Sequence, residues 1–318
     1  MKKYMILGII GIGLAGGVYG LLQSAGPADR QAEQDNRIQI VVSFFPYGEF
    51  ARAVAGDLAT VSELVPSGVE PHDFEPTPRD IERMYRADIV IINGAGIDVW
   101  AEKVVRELPE HGVRVVRMAE SVELLPGREE DHEAAPQDGS EEERMNDPHF
   151  WLDPILAQDQ VRTIAQVIGE VDGGHRDFYR ARAEVFIGEL GQLDREYQDG
   201  LGQCRLRTIV TSHDAFTYLA KRYQLETVSI AGLSPEAEPS SQRLAEIARE
   251  TSRLGVKFIF FETLSSPKLA ETLAGELGIG TLVFDPIEGS PVVDGVRATY
   301  TGLMRSNLRN LEAALECL

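Results

Sequence analysis

HRDFYRARAEVFIGELGQLDREYQDGLGQ, residues 175–203, decides the architecture. Phe178, Phe186, Leu190, Leu193, Tyr197 and Leu201 recur at spacings that fit 3.6 residues per turn, which predicts one amphipathic helix of about 25 residues. At 1.5 Å per residue it reaches roughly 37 Å, enough to run along two lobes as a stiff spine. On its N-terminal side, short apolar runs alternate with helical patterns: IQIVVSF, YGEFARAVAG, TVSELV, PRDIERMYRA, DIVIING, WAEKVVREL and VRVVRM. On its C-terminal side the rhythm returns in RTIVTS, AFTYLAKRYQ, ETVSIAG, SSQRLAEIARETSRLG, KFIFFET, PKLAETLAGELG and TLVFDP. Runs rich in Val and Ile that alternate with helices indicate parallel sheets covered on both faces. The expected fold is α/β, with two lobes, each a mostly parallel sheet flanked by helices, joined by the spine. The boundaries are 37–175 for the N-terminal lobe, 176–202 for the helix and 203–318 for the C-terminal lobe.

The composition allows this. A chain of 318 residues, 43% hydrophobic, can fill two cores without a disulfide scaffold. The formal charge of −20 argues against nucleic acid and anionic lipid as partners and is compatible with gathering cations. At the N-terminus, Lys2 and Lys3 precede an uncharged apolar run, Tyr4 to Leu22, so residues 1–36 read as an export signal and linker. At 19 residues the run is also about the minimum for a membrane span, and an uncleaved anchor is the alternative. No cysteine follows the run to serve as a lipid-attachment site. Either way, the body of the protein is expected outside the cytoplasm, where Cys204 and Cys317 can pair in the single possible intrachain bridge.

One stretch breaks the rhythm. Residues 127–147, GREEDHEAAPQDGSEEERMND, hold nine acidic and two basic residues without apolar periodicity and read as a loop inserted in the first lobe. It is either plain solvated surface or a collector of metal ions, with His132 as an accessory contact.

Of six histidines, three occupy matching positions: His72 in VEPHDFEP, His149 in NDPHFWLDP and His213 in IVTSHDAF. Each follows a predicted strand or turn and precedes a helical segment, and Asp285 in TLVFDPIEG ends a late strand in the same way. Ligands of open α/β sheets bind outside the carboxyl ends of the strands, so two residues from each lobe would face one cleft. Three imidazoles and a carboxylate suit Zn²⁺ in tetrahedral geometry. Pro71 and Pro148 would fix the backbone just before two of the histidines. His111 and His175 lie in turns away from strand ends, and the long intervals between the four candidates carry no specific motif.

The stretches VPSGVEPHDFEPTPRDI, ADIVIINGAGIDVW, DPHFWLDP, TSHDAFTYLAKRYQL, AGLSPEAEPSSQRLAEI, FFETLSSPKLAETLA and TLVFDPIEG resemble, in order, the zinc and manganese solute-binding proteins of bacterial and archaeal ABC importers, the ZnuA, TroA and PsaA type. The resemblance implies a monomeric receptor that passes metal to a membrane permease with a cytoplasmic ATPase. It places metal ligands on His72, His149, His213 and Asp285. Manganese-type members carry Glu at the third position, so His213 favours zinc over manganese. Zinc-type members often have a histidine-rich loop where this chain is acidic, and many members are lipoproteins. Glu70 and Glu262 are possible accessory ligands, and Asp73 and Asp153 are candidates to orient the imidazoles. The alternatives are a manganese or iron receptor of the same fold, a metal-binding surface adhesin, and a zinc hydrolase. Four protein ligands would leave a hydrolase no position for water, and neither HExxH nor GxSxG occurs, so no enzyme is expected.

Overall fold

Strands form where Val and Ile runs can be buried on both faces. β1 (Ile38–Val42), β2 (Ala59–Glu63), β3 (Ile89–Ile92) and β4 (Arg114–Arg117) make a four-stranded parallel sheet in the order β2-β1-β3-β4. The computed structural model describes residues 37–127, 146–236, 239–289, 292–293 and 296–318. The N-terminal segment and residues 128–145 of the acidic stretch, including His132, lie outside them. A second parallel sheet repeats the order as β6-β5-β7-β8, from β5 (Thr208–Thr211), β6 (Glu226–Ser229), β7 (Phe258–Phe261) and β8 (Gly280–Val283). A short antiparallel pair, β9 (Val292–Val293) and β10 (Val296–Arg297), follows.

Side chains alternate across each strand. Ile40, Val42, Ile89 and Ile91 of the first sheet and Ile209 and Phe260 of the second all enter one central core. Val41, Val90 and Ile92 face a separate outer core with α2 (Pro78–Tyr85) and α3 (Val99–Glu107), and Val210 and Ile259 face another with α7 (Ser241–Leu254) and α8 (Lys268–Leu277). Between the sheets lie α1 (Phe45–Ala55), α4 (Pro154–Val171), α5 (Arg176–Leu201), α6 (Thr217–Tyr223) and α9 (Tyr300–Leu315). Among the described residues no helix is long and apolar enough to cross a membrane.

The spine is α5, 26 residues and about 39 Å long. It packs on α4 and α1 of the first lobe and on α9 and α6 of the second. Its buried face differs in part from the sequence expectation: Tyr179, Ala183 and Ile187 are buried in the first half, whereas Phe178 is 42% exposed with Arg182 over its ring and Phe186 is half-buried against Phe50. The sequence offers adjacent apolar candidates there, and contact with α1 and α4 selects between them. Leu190, Leu193, Tyr197 and Leu201 are buried as the periodicity predicts.

The chain crosses between lobes again at its end. The Tyr300 hydroxyl donates to Trp151 O at 2.6 Å in the first lobe, while the other end of α9 lies along β5 and β8. A disulfide between Cys204 and Cys317, 113 residues apart, fastens the end of α9 to the chain just beyond α5. Backbone bonds from Arg205 to Glu316 and from Leu206 to Leu315 flank it. Closing so long a loop restricts the unfolded chain and is expected to contribute on the order of 3 kcal/mol. The double variant Cys204→Ser/Cys317→Ser should therefore melt several degrees lower, and reductant should lower the melting temperature of the parent but not of the variant. Superimposable melting curves with and without reductant for both proteins would show that the bridge carries no stability.

Candidate metal centre

The second lobe's contribution is built where its strand order reverses. β5 connects to β6 on one side and β7 to β8 on the other, so the carboxyl ends of β5 and β7 flank a crevice. His213, two residues past β5, meets Glu262, the residue after β7, with Nδ1 and Oε1 2.6 Å apart. The Ser212 hydroxyl donates to the same carboxylate oxygen, and Thr211 Oγ1 donates to His213 O at 2.9 Å.

The first lobe uses the corresponding reversal between β1 and β3. Asn93, just after β3, is fixed by the Tyr47 hydroxyl and by a bond from its N–H to Asp98, and its amide donates to Pro148 O at 3.2 Å. This holds the backbone immediately before His149. Asp147 Oδ1 then binds both the His149 N–H at 2.9 Å and the His149 ring Nδ1 at 2.8 Å. Carboxylates on Nδ1 of His149 and His213 select the tautomer with hydrogen on Nδ1, which leaves the Nε2 lone pairs for a cation. His72 rides on a 3-10 turn, Pro71–Asp73, capped by Glu70, whose Oε1 accepts the His72 N–H at 3.3 Å. Phe74 anchors this turn edge-on against Trp100, with ring centroids 4.9 Å apart.

All three Nε2 atoms converge on Glu288. Its Oε1 lies 3.3 Å from His149, 3.7 Å from His72 and 3.9 Å from His213, and the His149 and His213 Nε2 atoms are 3.4 Å apart. One donor atom from each of the four residues falls within 4.8 Å of the others. His149, His213 and Glu288 are buried and His72 nearly so. Among the described residues neither Glu288 oxygen nor His72 Nε2 makes a hydrogen bond of normal geometry, so the arrangement aims buried polar atoms at one point, as a cation site requires.

Two indirect contacts bring the lobes' contributions together. The Trp151 indole N–H donates to Pro286 O at 2.8 Å, tying the His149 segment to the turn that carries Glu288. The Tyr218 hydroxyl of α6 donates to Asp147 O at 2.9 Å and accepts from Leu125 N at 2.8 Å.

The electrostatics follow from this crowding. Burial alone would lower His149, but the carboxylates of Asp147 and Glu288 outweigh it and push its pKa up to about 10. For His213, burial again lowers and Glu262 and Glu288 raise, with a net increase. His72 has no carboxylate on Nδ1 among the described residues, and burial wins over Glu288 to lower it. Burial raises Glu288, yet His149 and His72 hold it well below the usual carboxylate range. Glu70 is raised to about 9 by burial and by the Glu288 charge. Without a cation the centre is therefore a Glu288 carboxylate facing protonated imidazole.

The structure brings His72, His149 and His213 together, but the fourth member is Glu288 and not Asp285. Asp285 is buried and already occupied: Oδ2 accepts the Thr263 hydroxyl at 2.8 Å and Oδ1 accepts the Ile287 N–H at 2.7 Å. Glu288 was within the stretch singled out, FDPIEG, three residues on; its signal was simply a second carboxylate beyond the strand end. The orienting carboxylates also differ from expectation. Asp73 is exposed, and Asp153 caps α4 through Ile155 N and Leu156 N and pairs with Arg222. Asp147 and Glu262 hold that role instead, while Glu70 caps the His72 turn. His111 packs against Tyr85 and His175 bonds Asp172, both remote from the centre.

Residues 40–314 match the family model described as zinc-uptake complex component A, periplasmic. The chain is 34% identical over 297 residues to the high-affinity zinc uptake system protein ZnuA of Bacillus subtilis, covering 93% of this chain and 92% of that protein. It is 35% identical over 285 residues to the zinc-binding lipoprotein AdcA of Streptococcus pneumoniae, covering 89% of this chain but only 56% of AdcA. Among solved structures, Zn(II)-bound AdcA from S. pneumoniae superimposes with a TM-score of 0.74 at 32% identity, covering 88% and 58% of the two chains. The laminin-binding protein Lmb of Streptococcus agalactiae, described as bifunctional with adhesin and metal transporting activity, gives 0.77 at 33% identity, covering 87% and 99%. With the family model spanning both lobes and the identity extending over nearly the whole of the B. subtilis relative, the chain belongs to the ZnuA family.

Proposed function

We propose that this protein is an extracytoplasmic receptor that binds Zn²⁺ through His72, His149, His213 and Glu288 and delivers it to an ABC-type import permease with a cytoplasmic ATPase. The observation that carries the reading is the convergence of three Nε2 atoms on one buried carboxylate. Two ligands come from each lobe, so the ion is held across the cleft. Three nitrogens and one oxygen complete a tetrahedral zinc shell, which favours a carrier over a hydrolase that needs an open position for water. Imidazole at three of four positions favours zinc over manganese, which prefers more oxygen ligands. The zinc-uptake and zinc-binding relatives support the choice of ion, and the periplasmic family description and the lipoprotein relative support a location outside the cytoplasm.

Capture exchanges protons for metal. A proton held on His149 up to about pH 10 competes with zinc well above the range of an isolated histidine. Apparent zinc affinity is therefore expected to keep rising from pH 7 to pH 9, with about one proton released per zinc at pH 7. Calorimetry in buffers of differing ionisation enthalpy reads both quantities; no proton release and a level affinity would remove the protonated His149–Glu288 arrangement.

Metal-free protein is expected to take up one Zn²⁺. His213→Ala or Glu288→Ala should each weaken binding by more than about 100-fold, the upper end of what losing only an outer hydrogen-bond partner costs. Excess Mn²⁺ should not displace bound zinc in a competition followed by elemental analysis. Displacement by manganese, or undiminished zinc affinity after Glu288→Ala, would overturn the ion or the ligand set respectively.

A further inference from the structure

Asp285 lies three residues before Glu288, and its carboxylate closes the turn that leads to it. On α9, the buried Asn307 grips the Asp285 backbone with both ends of its amide: Oδ1 accepts Asp285 N at 2.9 Å and Nδ2 donates to Asp285 O at 2.7 Å. Thr263, just past β7, donates to Asp285 Oδ2 at 2.8 Å and fixes the carboxylate plane. The other oxygen accepts the Ile287 N–H at 2.7 Å. Ile287 is fully buried and has φ of 61°, left-handed backbone that a β-branched residue rarely adopts. The turn closed by Asp285 holds that conformation, and it is this turn that swings the next side chain, Glu288, toward the three imidazoles. Strain of this kind persists only where its surroundings impose it.

We infer that Asp285, held by Asn307 and Thr263, is a positioning residue that locks the Glu288 carboxylate in the place where it completes a four-coordinate shell, and that this rigidity sharpens the preference for zinc over manganese. The inference rests on Glu288 being a ligand. A fixed carboxylate offers one oxygen at a set distance, as a tetrahedral ion accepts. A carboxylate free to rotate can offer both oxygens and so favours an ion that takes more ligands. Asp285 thus governs the ion without touching it.

The test is a cycle of Asp285→Ala, Asp285→Asn, Glu288→Ala and Asp285→Ala/Glu288→Ala, titrated with Zn²⁺ and Mn²⁺, with melting temperatures as a control for folding. Asp285→Ala should lower zinc affinity by about 10-fold or more, as loss of an outer partner does, and should lower the ratio of zinc to manganese affinity. Asp285→Asn keeps an oxygen for the Ile287 N–H and should rescue most of that loss, to within roughly 3-fold of the parent, since the outer-shell contact is preserved. In the Glu288→Ala background Asp285→Ala should have no further effect, because its influence passes through Glu288. If Asp285→Asn is as damaging as Asp285→Ala, or the two losses simply add, Asp285 acts on the metal directly and the inference falls. If Glu288→Ala itself leaves zinc affinity unchanged, the proposed ligand set fails instead. Should Asp285→Ala not fold, Asp285→Asn alone decides between rescue and loss.

Discussion

A buried hydrogen bond, from the Trp151 indole to the carbonyl of Pro286, links the segment that carries His149 to the turn that carries Glu288. These two residues come from different lobes and are 139 positions apart. Neither lobe alone contains a complete site. The central core that both sheets share gives the bond its context: Trp151 is fully buried, packed edge-on against Phe44, and the Tyr300 hydroxyl donates to its carbonyl. The geometry of four donor atoms therefore depends on the packing of one aromatic side chain between two lobes, and on α5 and α9 holding those lobes in register.

Around that frame, the centre solves a charge problem. An unpaired carboxylate in an apolar interior is costly, and a site of neutral imidazoles alone would lack its Coulombic attraction for a divalent ion. Glu288 is kept ionised by the imidazoles facing it, and two of those imidazoles are kept basic by Asp147 and Glu262 behind them. Protons satisfy the same atoms that a metal would. Uptake is then an exchange of protons for a metal ion rather than the burial of a new charge.

Much of this is legible in the sequence because it is periodic or local. Val and Ile runs announce the strands, and the carboxyl end of β5 locates His213, whereas His149 lies far beyond the end of β4, just before a 3-10 turn. Pattern reading stops where tertiary contact chooses. Phe178 and Tyr179 are adjacent aromatic candidates for the face of α5, and the fold buries the second, whose hydroxyl donates to Asp172. Glu262 lies 49 residues from His213, and no local pattern links them. Asp147 is different: an aspartate that accepts the N–H two residues on is a local turn habit, so DPH held the orienting carboxylate in plain view. Glu288 was hidden by backbone conformation, since a left-handed isoleucine just before it has no signature in residue type.

The two bonds of the Tyr218 hydroxyl bear on how the approach to His149 is held. Leu125 and Asp147 bracket the acidic stretch, Pro126 and Asn146 pair across it, and one phenol from the other lobe binds both of its ends. The chain entering the His149 segment is thus fastened by a phenol of the opposite lobe, so one contact serves both to join the lobes and to hold the approach to the metal centre.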